Sequence, residues 1–239
     1  MPAKPMEREY RMMAMPLTIL TDVETVPDED GNEVERPANR FGSEKYAEGY
    51  ATTFNDPYVL WQEPDWVDER GETQAGWTYI EVIDRHALDE ADMSDVVFLC
   101  DHEGTVYARN HSGTLHIEPN DHGLFTAVDL SRTSDAVRMF EHIQAGDYYQ
   151  MSWAFTVEEE TVEDDEANRV SIITVRKVRK VYDVSCVSRP ADPNTEISAR
   201  RVIDGAIEAR KLREAQQAER KLERRRKELA LRARAMKFN

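Results

Sequence analysis

Val96-Val97-Phe98-Leu99-Cys100-Asp101-His102 is an apolar run that ends in a histidine, and Tyr148-Tyr149-Gln150-Met151-Ser152-Trp153-Ala154-Phe155 is a strand-like run with a serine inside it. Alternation along the second run puts Tyr149, Met151, Trp153 and Phe155 on one face and Gln150, Ser152 and Ala154 on the other. Ser152 therefore stands among small or polar neighbours, where a substrate backbone has room to approach. A serine hydroxyl is a weak nucleophile until a base removes its proton. The two runs thus pose one question: whether the fold brings a histidine and an orienting acid to this serine.

Working outward, the flanking segments read as further strands with one helix among them. Glu48-Gly49-Tyr50-Ala51-Thr52-Thr53-Phe54 precedes the turn signal Asn55-Asp56-Pro57, and Thr78 to Ile83 alternates like a strand. Ser112 to Ile117 and Leu124 to Leu130, joined across Pro119-Asn120-Asp121-His122-Gly123, predict a hairpin. Ser134-Asp135 caps a predicted helix whose Val137, Phe140 and Ile143 follow helical spacing, and Gly146 ends it. Glu158 to Asn168 reads as an acidic loop or hairpin tip between the Ser152 strand and Arg169 to Val175, and Val181 to Val187 makes one more strand. About eight short strands and one good helix predict an α+β body, mainly antiparallel, built as a barrel or sandwich decorated by helices.

The ends differ from this body. Residues 1–44 predict a flexible N-terminal segment and acidic loop, with a short strand near Pro16 to Leu20. From Thr195 the chain has one glycine, no proline, and fourteen Lys/Arg against seven Asp/Glu, which predicts a basic helical tail over 196–239 behind a body over 45–195. The net charge of −16 thus conceals a body near −23. An acidic body argues against a nucleic-acid-binding globule, since phosphate contacts need a basic face. No apolar run approaches the roughly eighteen residues of a membrane span, and Met1 to Met15 lacks a signal-peptide core, so the expectation is a cytoplasmic protein with no membrane partner.

His102 is the candidate base, because the end of an apolar run holds an imidazole partly dry and in place; His111 is its best rival. Asp183 is the candidate acid. It lies mid-strand between Val181 and Ser185, and a carboxylate buried there needs a partner, an imidazole N–H or one of Arg179 and Arg189. Cys100 and Cys186 sit in apolar runs as core thiols, and without CxxC spacing they give no metal site. Neither a glycine-rich phosphate loop nor a GxSxG elbow is present, so no cofactor is expected.

The ordered set Glu48 to Asn55, Glu81-Val82-Ile83, Leu99 to His102, Ser112 to Leu115, Gly123-Leu124-Phe125, Met151 to Phe155 and Asp183 to Ala191 resembles the prohead (capsid maturation) proteases of tailed bacteriophages. The resemblance covers roughly residues 45–195 and rests on the order of the motifs. It implies an assemblin-like β-barrel, like that of the herpesvirus capsid proteases, and a serine endopeptidase with catalytic His102, Ser152 and Asp183. Asp183 stands where the family usually carries Glu, Ala154 where glycine is common, and Tyr107-Ala108-Arg109 in place of a glycine-containing turn. Oxyanion donors are not legible; the backbone near Arg189 is the candidate.

The implied partners are the phage major capsid protein and scaffold, with self-association and no specific nucleic acid. The implied place is the assembling prohead in the host cytoplasm, where the protease often cleaves itself as well. The alternative is a non-catalytic scaffold or assembly protein that keeps the fold. A metal-dependent hydrolase on His102, His111 and His116 is a third reading.

Overall fold

The structure, a computed structural model, describes residues 8–27, 31–188, 205–208, 210–213, 215–216 and 218–225. The chain divides into two units, Met1–Ala199 and Arg200–Asn239.

Residues 9–37, expected to be a flexible lead and acidic loop with one short strand near Pro16 to Leu20, hold four strands: β2 (Thr18–Ile19) lies where that strand was expected, and β1 (Glu9–Pro16), β3 (Val23–Pro27) and β4 (Glu33–Pro37) replace the flexible parts. β5 (Tyr46–Thr53) carries the Gly49-Tyr50-Ala51 run, and β6 (Tyr58–Gln62), β7 (Trp66–Val67) and β8 (Thr73–Gln74) follow. Next come β9 (Thr78–Ile83), β10 (Val97–Cys100), β11 (Glu103–Arg109), β12 (Leu115–Pro119) and β13 (Gly123–Asp129). The helix α1 (Ser134–Ala145) follows, and then two long strands, β14 (Gln150–Asp165) and β15 (Val170–Val187).

The helix forms where its spacing predicts, with Ala136, Met139, Phe140 and Ile143 buried. Its N-cap is Thr133, one residue before the expected pair: the Thr133 side chain accepts the Ala136 N–H, and Gly146 closes the other end in the left-handed region at φ 83°. The predicted hairpin is β12 with β13, antiparallel from Leu115 opposite Val128 to Pro119 opposite Leu124.

Of the two readings of Glu158 to Asn168, the structure has the hairpin: Glu158 to Asp165 is the far end of β14, paired with β15, and the turn is confined to 166–169. β15 lays Lys177 opposite Glu159, with Lys177 Nζ 3.6 Å from Glu158 Oε1.

The sheet that decides function runs in the order β1-β14-β15-β10-β11, with β9 on β15 and β6 on β9. β15 is its spine. One edge is paired with β14 along its whole length; the other is shared by two parallel neighbours, β9 along Val170 to Val175 and β10 along Asp183 to Cys186.

A second sheet, β12-β13-β5-β2, packs across the first. At Gly49 on β5 a β-carbon would lie 2.6 Å from the Pro16 carbonyl oxygen, so the close approach of these two backbones requires glycine. Between the sheets lie Phe98, Leu124, Val128, Met151, Trp153, Phe155, Val181 and Val184, all buried, with the Trp153 and Phe155 rings stacked at 3.8 Å. Burial of each large side chain there contributes about 1.5–3 kcal/mol.

The architecture is α+β and mostly antiparallel. No ladder joins the two sheets among the described residues, so the expected closed barrel is not found: β1 and β11 end one path, β12 and β2 the other. In the second unit residues 205–225 are helical wherever they are described; the rest of the predicted tail helix lies outside the described residues. No helix among the described residues is long and apolar enough to cross a membrane.

Candidate active site

Strand order alone explains why three residues far apart in sequence meet. Asp183 is on β15. Ser152 is on one neighbour, β14, where it faces Ser185 across the ladder while Ala154 faces Asp183. His102 lies just past the end of the other neighbour, β10, which runs parallel to β15 from Val97 beside Asp183 to Cys100 beside Cys186.

His102 does not simply end a strand. Asp101 and His102 form the tight turn between β10 and β11, and both have positive φ, 48° and 62°. Asp and His tolerate this region better than most residues, and each such position costs on the order of 1–3 kcal/mol. Contacts to the end of β15 hold the turn. The Asp101 N–H donates to the Cys186 carbonyl at 3.0 Å, and its Oδ1 accepts from the Ser188 N–H at 2.9 Å and the Ser188 hydroxyl at 3.2 Å.

The turn delivers the imidazole between the other two groups. His102 Nδ1 lies 2.5 Å from Asp183 Oδ1, and Nε2 lies 2.5 Å from Ser152 Oγ. An ionised Asp183 takes the Nδ1–H, which leaves the Nε2 lone pair facing the hydroxyl. Ser152 and Asp183 are buried at 0% and 1% exposure, while the His102 side chain keeps 13%. Burial removes the water that would otherwise compete for these hydrogen bonds.

β1 and the residue before it, Arg8, touch all three groups and were not anticipated as part of the site. The Arg11 carbonyl lies 2.9 Å from Ser152 Oγ, a second acceptor for a hydroxyl that has one proton. The Tyr10 ring stands edge-on to the His102 ring at 4.9 Å. Arg8 lies over the Tyr182 ring, with Nη1 3.9 Å from Asp183 Oδ2.

β1 is anchored by an ion pair. The fully buried Arg11 guanidinium binds Glu81 of β9 through both carboxylate oxygens, at 2.7 and 2.8 Å, and Glu9 at 3.0 Å; the Tyr58 hydroxyl also bonds Glu81. Burial alone would lower the Arg11 pKa, but the Glu81 charge and its hydrogen bonds override that and raise it above the ordinary value. Nothing local in the sequence marks Arg11 and Glu81, seventy residues apart, as partners.

Of the other histidines, His86, His111, His122 and His142 are exposed, and His116 lies against Glu118 at 3.0 Å. Among the described residues no three His, Cys, Asp or Glu side chains stand together as metal ligands, so His102, His111 and His116 do not converge. Of the partners expected for Asp183 the structure shows the imidazole; Arg179 is exposed, and Arg189, with the backbone named for the oxyanion, lies outside the described residues. Cys100 and Cys186 are free thiols side by side in the β10–β15 ladder.

A nucleophile, a base and an orienting carboxylate in this order have the geometry for acyl transfer. A family model described as caudovirus prohead serine protease matches residues 32–209, a span that holds Ser152, His102 and Asp183 but not β1. No curated protein and no solved structure matches the chain.

Proposed function

We propose that this chain, which belongs to the caudovirus prohead serine protease family, is an active endopeptidase that cleaves capsid and scaffold proteins, and itself, inside the assembling phage head. The observation that carries this reading is the His102 bridge, 2.5 Å to Ser152 Oγ on one side and 2.5 Å to Asp183 Oδ1 on the other.

In the proposed reaction His102 Nε2 removes the Ser152 proton as Oγ attacks the scissile carbonyl carbon. Asp183 holds Nδ1–H and stabilises the imidazolium that forms. The imidazolium then protonates the leaving amine, an acyl-serine remains, and water activated by His102 releases it. Because Ser152 is covered, the peptide enters from the exposed side of His102, and β1 gives way at its exposed Arg8 end.

The same reading takes the two sheets as an open version of the assemblin-like barrel. It takes residues 1–44, 45–195 and 196–239 as lead, protease body and basic tail, and gives the basic tail an acidic docking partner in the capsid or scaffold, with self-association of the protease.

The test is co-expression of wild type or Ser152→Ala with the capsid and scaffold proteins of the same phage, read by mass spectrometry. Wild type produces truncated capsid, scaffold and self fragments, and Ser152→Ala leaves all chains intact. Processing that survives in Ser152→Ala overturns Ser152 as the nucleophile, and chains left intact by wild type overturn the reading in favour of a scaffold that keeps the fold. Loss of residues 200–239 is expected to reduce incorporation into proheads.

A further inference from the structure

We propose that Ser185 is a positioning residue for this chemistry, selecting which oxygen of Asp183 faces His102; this rests on the peptidase reading above.

Ser185 lies two residues after Asp183 on β15, so both side chains leave the same face of the strand, and it sits directly opposite Ser152 in the β14 ladder. Its side chain is fully buried. Ser185 Oγ donates to Asp183 Oδ1 at 2.9 Å and lies 3.3 Å from His102 Nδ1, so hydroxyl, carboxylate oxygen and imidazole N–H form a closed triangle beneath the nucleophile. Among the described residues the other carboxylate oxygen, Asp183 Oδ2, is buried with no hydrogen-bond partner, and Arg8 Nη1 lies 3.9 Å from it.

That asymmetry is the core of the inference. The terminal torsion of a carboxylate is broad and roughly two-fold, so Asp183 by itself has no strong reason to present one oxygen over the other or to keep its plane fixed. Among the described residues two donors converge on Oδ1 and none reaches Oδ2. One donor, the imidazole, moves through its charged form during turnover; the hydroxyl is the constant one. Ser185 thus holds Oδ1 in line with Nδ1, and through Nδ1 holds Nε2 on Ser152. It never touches the substrate.

The experiment uses the full chain and two readouts. The first is the rate at which a fluorophosphonate labels Ser152, measured against probe concentration. The second is the proton NMR resonance of His102 Nδ1–H, which a short hydrogen bond to a carboxylate moves far downfield.

Ser185→Ala is expected to lower the maximal labelling rate about 10- to 100-fold, the rate equivalent of one hydrogen bond to a charged group, with the half-saturating concentration unchanged. The Nδ1–H resonance is expected to shift, and Ser185→Thr, which keeps the hydroxyl, restores both. If the Ala variant does not fold, Ser185→Cys keeps the volume with a much weaker donor and faces the same two outcomes.

Wild-type labelling in the Ala variant overturns the proposal. So does lost labelling with an unmoved resonance, since Ser185 would then act on the fold and not on the imidazole. Failure of the peptidase reading looks different: Ser152→Ala labelled as fast as wild type, whatever Ser185 does.

Discussion

Glu81→Ala is the perturbation whose size follows most directly from the structure. It removes two hydrogen bonds, at 2.7 and 2.8 Å, from a guanidinium that is 1% exposed, and takes an acceptor from the Tyr58 hydroxyl. Removing one partner of a buried ion pair costs about 3–5 kcal/mol, because the remaining charge has lost its water as well as its partner. Glu9 still accepts from Arg11 at 3.0 Å, which places the expected loss near the lower end, about 3 kcal/mol. For a unit of this length each kcal/mol moves the melting temperature by about 2–4 °C, so the expected drop is about 6–12 °C.

Thermal unfolding followed by circular dichroism at pH 7 measures it. The companion variant, Arg11→Met with Glu81→Leu, replaces both charges with apolar groups of similar volume and is expected to recover most of the loss, since burying an ion pair gains little over burying hydrocarbon. A single variant that melts within about 2 °C of wild type, a change below about 1 kcal/mol, refutes the reasoning. It would mean that Arg11 reaches water or that Glu9 alone compensates it. The result bears on the site because the same residue's carbonyl contacts Ser152.

Two further predictions concern charge and catalysis. Asp129 closes β13; burial alone would raise its pKa, but hydrogen bonds from Ser131 and Ser43, with Arg132 at 2.9 Å, outweigh that and hold it below the ordinary carboxylate value. A depressed folded pKa contributes stability above the unfolded value near about 4, and that contribution is lost as pH falls through the folded pKa. The gap in melting temperature between wild type and Asp129→Asn is therefore expected to be widest above about pH 5 and to close in more acid solution; a gap constant with pH refutes this. Asp183→Asn places an amide donor against Nδ1, favours the tautomer with the proton on Nε2, and leaves no lone pair for Ser152. Fluorophosphonate labelling is expected to fall about 10⁴-fold, the size of that tautomer error in other serine proteases, and a loss below about tenfold counts against the triad.

β1 alters what the site needs in order to work. It lies outside the span matched by the family model, yet with Arg8 just before it β1 contributes a backbone acceptor, an aromatic edge and a cation to the three groups that span contains. Ser152 is buried beside it, and in the proposed reaction access depends on how firmly β1 is held, with the Arg11–Glu81 pair as its anchor.

Local rules in the sequence were enough for the helix and the hairpin. The helix at Ser134–Ala145 and the hairpin of β12 with β13 depend on caps, spacing and turn residues within a dozen positions, and both formed where those signals lay. The pairing of His102, Ser152 and Asp183 was suggested by an ordered resemblance, since composition and alternation left Arg179 and Arg189 open as partners for the carboxylate. What the tertiary structure alone decided was the neighbourhood of β15, with β14 on one edge and β10 on the other. It also decided the left-handed turn that aims the imidazole, the Ser185 hydroxyl under it, and the Arg11–Glu81 pair that fastens β1. The reason is physical: caps and alternation are written in adjacent residues, whereas sheet neighbours are joined by backbone hydrogen bonds that any residue but proline makes. Which strands lie side by side is settled only when the whole chain buries its apolar faces at once.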